Sequence, residues 1–167
     1  MESCASPEQG ERVLGLVKDG TVYEAFRSKE GQLVVVDTLK DRLPVTVETV
    51  TGVKVARVDC GDNCYIFDQK MLRAAVRDVL DVARSGRDDL VLDLSRVSFV
   101  EPSHLNALRH VHDQLRERGR ELIVISRSTV VARDIALAVP ELDGAVFRLE
   151  RDAVDHARRG RVIEATG

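Results

Sequence analysis

The chain has 167 residues, 44% of them hydrophobic and 32% charged, with a formal net charge of −3 and a pI near 5.8. That length supports one well-buried core. The acidic balance removes any global attraction to nucleic acid or anionic lipid, and with no Trp and 4% aromatic residues the chain lacks the flat rings of a base-stacking platform. No apolar run approaches the roughly 18 residues that a membrane span needs. The first ten residues have neither a basic start nor an apolar stretch, so they do not read as a secretory leader. Three cysteines, an odd number, do not suggest a disulfide framework. A reduced, cytoplasmic setting is the expectation.

In chain order, residues 1–10 read as a disordered lead rich in Ser, Pro, Glu, Gln and Gly. Arg12–Val17 and Thr21–Phe26 flank an Asp19-Gly20 pair, a strong hairpin signal, and Gln32–Leu39 follows a second turn at 28–31. These strands form a β-meander extension over residues 11–43. Val45–Val50 and Val53–Val58 bracket Thr51-Gly52 as another hairpin. Beyond the irregular stretch Cys60–Phe67, the residues Leu72, Ala75, Val76, Val79, Leu80 and Ala83 recur at helical spacing, with Asp68 as N-cap and Gly86 as stop. Leu90–Leu94 is an apolar strand broken only by Asp93. A helix from Ser103 carries Leu105, Leu108, Val111 and Leu115 on one side and ends at Gly119. Then come a strand at Glu121–Ser126, a helix at Thr129–Val139 stopped by Pro140, a strand at Ala145–Leu149 and a helix at Arg151–Arg159. Strands alternating with helices require crossovers, so the fold class is α/β with a mixed, mostly parallel sheet, preceded by the meander.

The stretch Asp89–Leu105, Asp-Leu-Val-Leu-Asp-Leu-Ser-Arg-Val-Ser-Phe-Val-Glu-Pro-Ser-His-Leu, resembles the central segment of STAS domains, the anti-sigma factor antagonists and their relatives. There a Leu-Val-Leu-Asp-Leu strand leads through a short loop to Asp-Ser-Ser-Gly-Leu, which opens a helix. The resemblance runs on through Arg116-Glu-Arg-Gly-Arg, the strand Leu122–Ile125, Ser128, Leu142 and Val146-Phe147, and covers about residues 44–158, leaving 159–167 as a tail. It implies a non-enzymatic bacterial interaction module in signal transduction and transcription regulation, binding an anti-sigma factor or serine kinase through residues 101–112. Glu101, Pro102, Ser103, His104 and Asn106 would face that partner.

An ungapped alignment on Phe99 and Leu105 places Glu101 on the family's Asp and Pro102 on the serine that is normally phosphorylated. Ser103 falls on the second serine and His104 on the glycine. Proline has no hydroxyl, and it suits the first turn of a helix. Ser103 is then either a shifted phosphosite or an N-cap. A phosphate at a helix start would add roughly −1.5 to −2 charges where backbone N–H groups favour an anion. The family's acidic residue before its first helix is matched by Tyr65 when counted back from Leu72, and by Asp62 only with a shifted gap.

Cys60-Gly-Asp-Asn-Cys64 and Glu101–His104 are expected in neighbouring loops at the edge where strands feed helices, a usual ligand site in open α/β sheets. Cys60, Asp62, Cys64 and Tyr65 form a candidate ligand or redox corner. The C-x3-C spacing is compatible with zinc, but no second close Cys/His pair completes a site. His104 and His110, six apart, diverge on a helix, as do His110 and His112. The reading is therefore no metal and no cofactor, with a thiol or metal sensor as one alternative. The other alternative is a STAS scaffold subunit of a signalling or transport assembly without phosphorylation control, a homo-oligomer through the N-terminal strands. No phosphate-binding glycine loop or nucleophile motif is present, and Asp93 reads as structural.

Overall fold

Two glycine turns fix the antiparallel pairs. Asp19 and Gly20 both take positive φ (52° and 76°), as do Thr51 and Gly52 (46° and 85°); this is the type I′ conformation whose twist suits a two-residue hairpin. The turns join β1 (Glu11–Lys18) to β2 (Thr21–Arg27) and β4 (Val45–Val50) to β5 (Val53–Val58). The computed structural model describes residues 11–37, 43, 45–59, 63–84 and 89–166. The lead expected at 1–10 and the stop expected at Gly86 lie outside the described residues.

β3 (Leu33–Asp37) returns along β2 after a turn in which the Gly31 N–H donates to the Ser28 carbonyl (2.9 Å) and the Gln32 N–H to the Ser28 hydroxyl (3.1 Å). The order continues with β6 (Cys64–Ile66), α1 (Gln69–Arg84), β7 (Leu90–Asp93), β8 (Val97–Val100), a 3-10 turn at Pro102–Leu105 and α2 (Asn106–Glu117). β9 (Leu122–Ile125), α3 (Thr129–Ala138), β10 (Val146–Phe147) and α4 (Glu150–Thr166) complete it.

The α/β class, the crossover helices and the mostly parallel pairing agree with expectation, but the strands divide into two five-stranded sheets. One has the order β10-β9-β7-β5-β4 and the other β3-β2-β1-β6-β8. The meander thus continues directly into the rest of the protein: β1 runs parallel to β6, and β6 parallel to β8. The stretch expected to be irregular at Cys60–Phe67 contains β6, and the loop expected after β7 contains β8. α4 also runs past Arg159, where the last helix was expected to end, to Thr166.

Alternation along the strands sorts the core into two layers. Val17, Val22, Ile66, Val97 and Val100 of one sheet and Ala56, Val58, Leu90, Leu92 and Val124 of the other pack with α1, α2 and α3 in the main cluster. Val53, Val55, Val91, Ile123 and Ile125 face the opposite way, onto Ala153, Val154 and Ala157 of α4. The helical stripe read from spacing in α1 is buried at Leu72, Ala75, Val76, Val79 and Leu80.

Asp68 is the N-cap expected of it. Its carboxylate accepts from the N–H of Met71 (3.1 Å) and from the N–H of Gly20 in the β1–β2 turn (2.6 Å), tying the hairpin to the start of α1. Burial alone would raise its pKa, but the N–H groups of Gly20, Met71 and Lys70 outweigh it and hold the carboxyl below its usual range. A depressed folded pKa means that the contribution is complete above the unfolded value, about 3.9, and disappears as pH falls through the folded value. Asp68→Ala should therefore lower stability by about 1–2 kcal/mol at neutral pH. The gap to the parent should close in acid, as read from urea midpoints at pH 7 and pH 3. A gap that does not change with pH would mean that the carboxylate is not what holds the two elements together.

Candidate functional site

β8 carries the chain to the exposed corner at its end. The Glu101 N–H donates to the Ile66 carbonyl (3.2 Å) and the His104 N–H to the Glu101 carbonyl (2.8 Å), closing a tight 3-10 turn. Pro102 takes the first turn, where its missing N–H costs nothing. Glu101 stands at the cap position without a side-chain cap bond. Ser103 is therefore not the N-cap: it lies inside the turn, exposed, with no side-chain hydrogen bond among the described residues. Leu105, 1% exposed, anchors the turn in the core.

Glu101, Pro102 and Ser103 are exposed together, and so is Asn106 at the start of α2. His104 is less exposed than these four residues. Its side chain is mostly covered, its Nε2 lies 3.7 Å from the Glu101 carboxylate, and its Nδ1 is buried without a partner. It sits where the family has glycine, and the ring folds back beside the turn rather than outward.

α2 packs against α1, and a groove of about 420 Å³ runs between them, lined by Arg73, Val76, Arg77, Leu80, Asn106, Ala107 and His110. Sequence reading missed the two arginines. Their signal was an i, i+4 pair flanking the apolar stripe of α1, but which helix covers that flank is a tertiary fact. On the far side of α2, Arg109 donates to Glu141 (2.5 Å) and to the Ala138 carbonyl (3.0 Å). A hydrogen bond from its own backbone N–H, and then Arg109, hold the Glu141 carboxyl below its usual range. His112, 8% exposed with neither ring nitrogen paired, has ligand atoms of Asp113 and Glu141 within 4.8 Å. Within this cluster the Glu141 carboxylate is already engaged by the Arg109 guanidinium.

Of the expected cysteine corner, Cys64 and Tyr65 are among the described residues. Cys60 and Asp62 lie outside the described residues. Cys64 is fully buried and disulfide-bonded, contrary to the reading of the cysteine count; the other two cysteines, Cys4 and Cys60, are outside the described residues. Cys64 begins β6, paired with Val97, whereas Glu101 follows the opposite end of β8, beyond Val100. Strand alternation turns Tyr65 to the other face, where it stacks on Phe99 at 6.4 Å between ring centroids. Phe67 packs on the same Phe99 at 5.2 Å.

At the carboxyl ends of β5 and β7 the Arg57 guanidinium bridges Asp93 (2.7 Å), Glu48 (3.0 Å) and Glu150 (2.5 Å). Burial opposes its charge, but Glu150, Glu48 and Asp93 outweigh that and keep it protonated more firmly than a free arginine. Asp93, 6% exposed, also accepts from the Ser95 N–H (2.8 Å). Both its oxygens are engaged, which fits a structural carboxylate.

The family model of the STAS domain matches residues 34–139, more than half of the chain. The chain belongs to the STAS domain family. No curated protein matches the chain. Among solved structures, this STAS fold is similar to the crystal structure of an anti-sigma factor antagonist from Mycobacterium paratuberculosis. They share 25% identity and a TM-score of 0.54, over 70% of this chain and 94% of that one. It also resembles part of a murine anion transporter, Solute Carrier 26 family member A9, in the inward-facing state, at 20% identity and a TM-score of 0.49. That alignment spans 91% of this chain but only 23% of the transporter. No helix among the described residues of this STAS domain is long and apolar enough to cross a membrane.

Proposed function

We propose that this STAS domain is a non-catalytic interaction module in bacterial signal transduction, binding an anti-sigma factor or related serine kinase through the Glu101–Ser103 turn and α2. The observation that carries the reading is the exposed turn itself, placed at the start of α2 in a domain similar to an anti-sigma factor antagonist. Pro102 removes the usual hydroxyl, and Ser103, one residue on, is exposed with its hydroxyl free to be modified. A phosphate there adds charge beside the Glu101 carboxylate, which disfavours an acidic partner surface and releases it.

Affinity capture of the full-length protein from native lysate, with mass spectrometry of partners and of Ser103, tests this. The expected result is recovery of an anti-sigma factor or serine kinase, whose purified form then binds Ser103→Glu at least about tenfold more weakly, a difference of about 1.4 kcal/mol. Equal binding by Ser103→Glu and by Asn106→Arg would move the interface elsewhere.

A scaffold reading has one specific observation in its favour. β3 is the edge strand of its sheet, and Leu33 and Val35 on it are 55% and 63% exposed. An apolar edge of this kind readily pairs with another strand. Light scattering on the parent and on Leu33→Lys/Val35→Lys should show a larger species only in the parent; a monomer in both removes the oligomer.

A further inference from the structure

The arginines that serve the fold are neutralised: Arg57 by three carboxylates, Arg96 by Asp59 and Arg109 by Glu141. Arg73 and Arg77 are not. Both are exposed on α1, and neither has a hydrogen bond or ion pair among the described residues. They stand four residues apart, on adjacent turns of one helix face. Asn106 and His110 stand four apart on α2 across the groove, and among the described residues no carboxylate lines it. In a chain of net charge −3 this is a local basic trough. Its floor is apolar, made by Val76, Leu80 and Ala107.

Each of these features selects something about the occupant. Two unneutralised guanidiniums call for negative charge, and their forked donors suit carboxylates. The apolar floor calls for aliphatic side chains between the charges, which a free inorganic anion does not offer. A trough between two helices admits a third helix, whose residues at i and i+4 are about 6 Å apart along its axis, matching the spacing of Arg73 and Arg77.

We propose that the α1–α2 groove seats an acidic amphipathic helix of a partner protein, with Arg73 and Arg77 pairing to its carboxylates against Asn106 and His110. The proposal rests on the reading of α2 as the partner face and adds α1 as the half that selects charge. Because the pairs lie at the rim of an open groove, their attraction is screened by salt.

The test is an amide-resolved NMR titration of the full-length protein with a synthetic, end-capped helical peptide carrying Glu at i and i+4 and Leu at i+3 and i+7. Expected are shifts confined to residues 73–80 and 106–110, weakened at least about tenfold in Arg73→Glu/Arg77→Glu, and weakened by raising the salt from 50 to 500 mM. The same double variant, checked for an unchanged amide dispersion, should bind the peptide in which Lys replaces Glu. The proposal is overturned by an absence of shifts at millimolar peptide, by shifts that map elsewhere, or by inorganic phosphate alone reproducing them. A captured kinase separates the two readings. If it binds Arg73→Glu/Arg77→Glu as well as the parent but loses Ser103→Glu, the groove proposal alone fails. If the acidic peptide binds the groove and no kinase binds the protein, the anti-sigma reading alone fails.

Discussion

Replacing Arg57 with alanine should lower the unfolding free energy by about 2–4 kcal/mol. The guanidinium links four elements: Glu48 on β4, its own strand β5, Asp93 on β7 and Glu150 on α4. Glu48 and Glu150 are exposed enough to turn to water when it leaves. Asp93 is not: it sits at 6% exposure at the end of a strand covered by α4, and its remaining partner is the Ser95 N–H. The penalty comes from that stranded carboxylate more than from the lost attraction. Asp93→Asn in the Arg57→Ala background should therefore recover part of the loss, as the neutral amide is less costly to bury unpaired. Urea unfolding of the parent, the single and the double variant at pH 7 measures it. A loss below about 1 kcal/mol in the single variant would mean that water reaches Asp93 and that the bridge contributes no more than a surface pair.

Leu105→Ala should cost about 3–4 kcal/mol, within the range for emptying a buried leucine site. Leu105 is 1% exposed and borders a small apolar void shared with Leu92, Leu94, Val100 and Leu108. The residues on either side of it are the exposed turn and the first turn of α2, so the same change should loosen the proposed interface. Amide exchange at 102–108 should quicken beyond what the global loss accounts for. Leu105→Met, which keeps the volume, should cost less than about 1.5 kcal/mol and leave local exchange near the parent's. A loss under about 1 kcal/mol in the alanine variant would show that the walls close over the gap.

The elements that were legible in the sequence are those whose signal is local. Asp19-Gly20 and Thr51-Gly52 state their turn type in two residues, because few residues accept positive φ twice in a row. Asp68 is readable as a cap from its place before an apolar stripe, although its second acceptor bond, to Gly20, is 48 residues away in sequence and invisible there. β6 and β8 were not legible, because three and four residues are too few to display an alternation. At the candidate site, Pro102 at the head of a turn followed from its own chemistry, whereas the inward fold of His104 and the pairing of Arg109 with Glu141 depend on neighbours that sequence spacing does not supply. Arg73 and Arg77 were hidden for the same reason.

The parallel pairing of β1 with β6 also sets an order of events during synthesis. The β1–β2 and β4–β5 hairpins need only neighbouring residues and close within microseconds. The other edge of β1 has to wait for Cys64–Ile66, a delay of a few seconds at about 5–20 residues per second of translation. Through that interval the nascent meander shows water two open strand edges, that of β1 and the apolar one of β3. Chaperone demand on this protein should therefore concentrate on its first sixty or so residues, and slowing the ribosome between β3 and β6 should lower the soluble yield more than slowing it anywhere later.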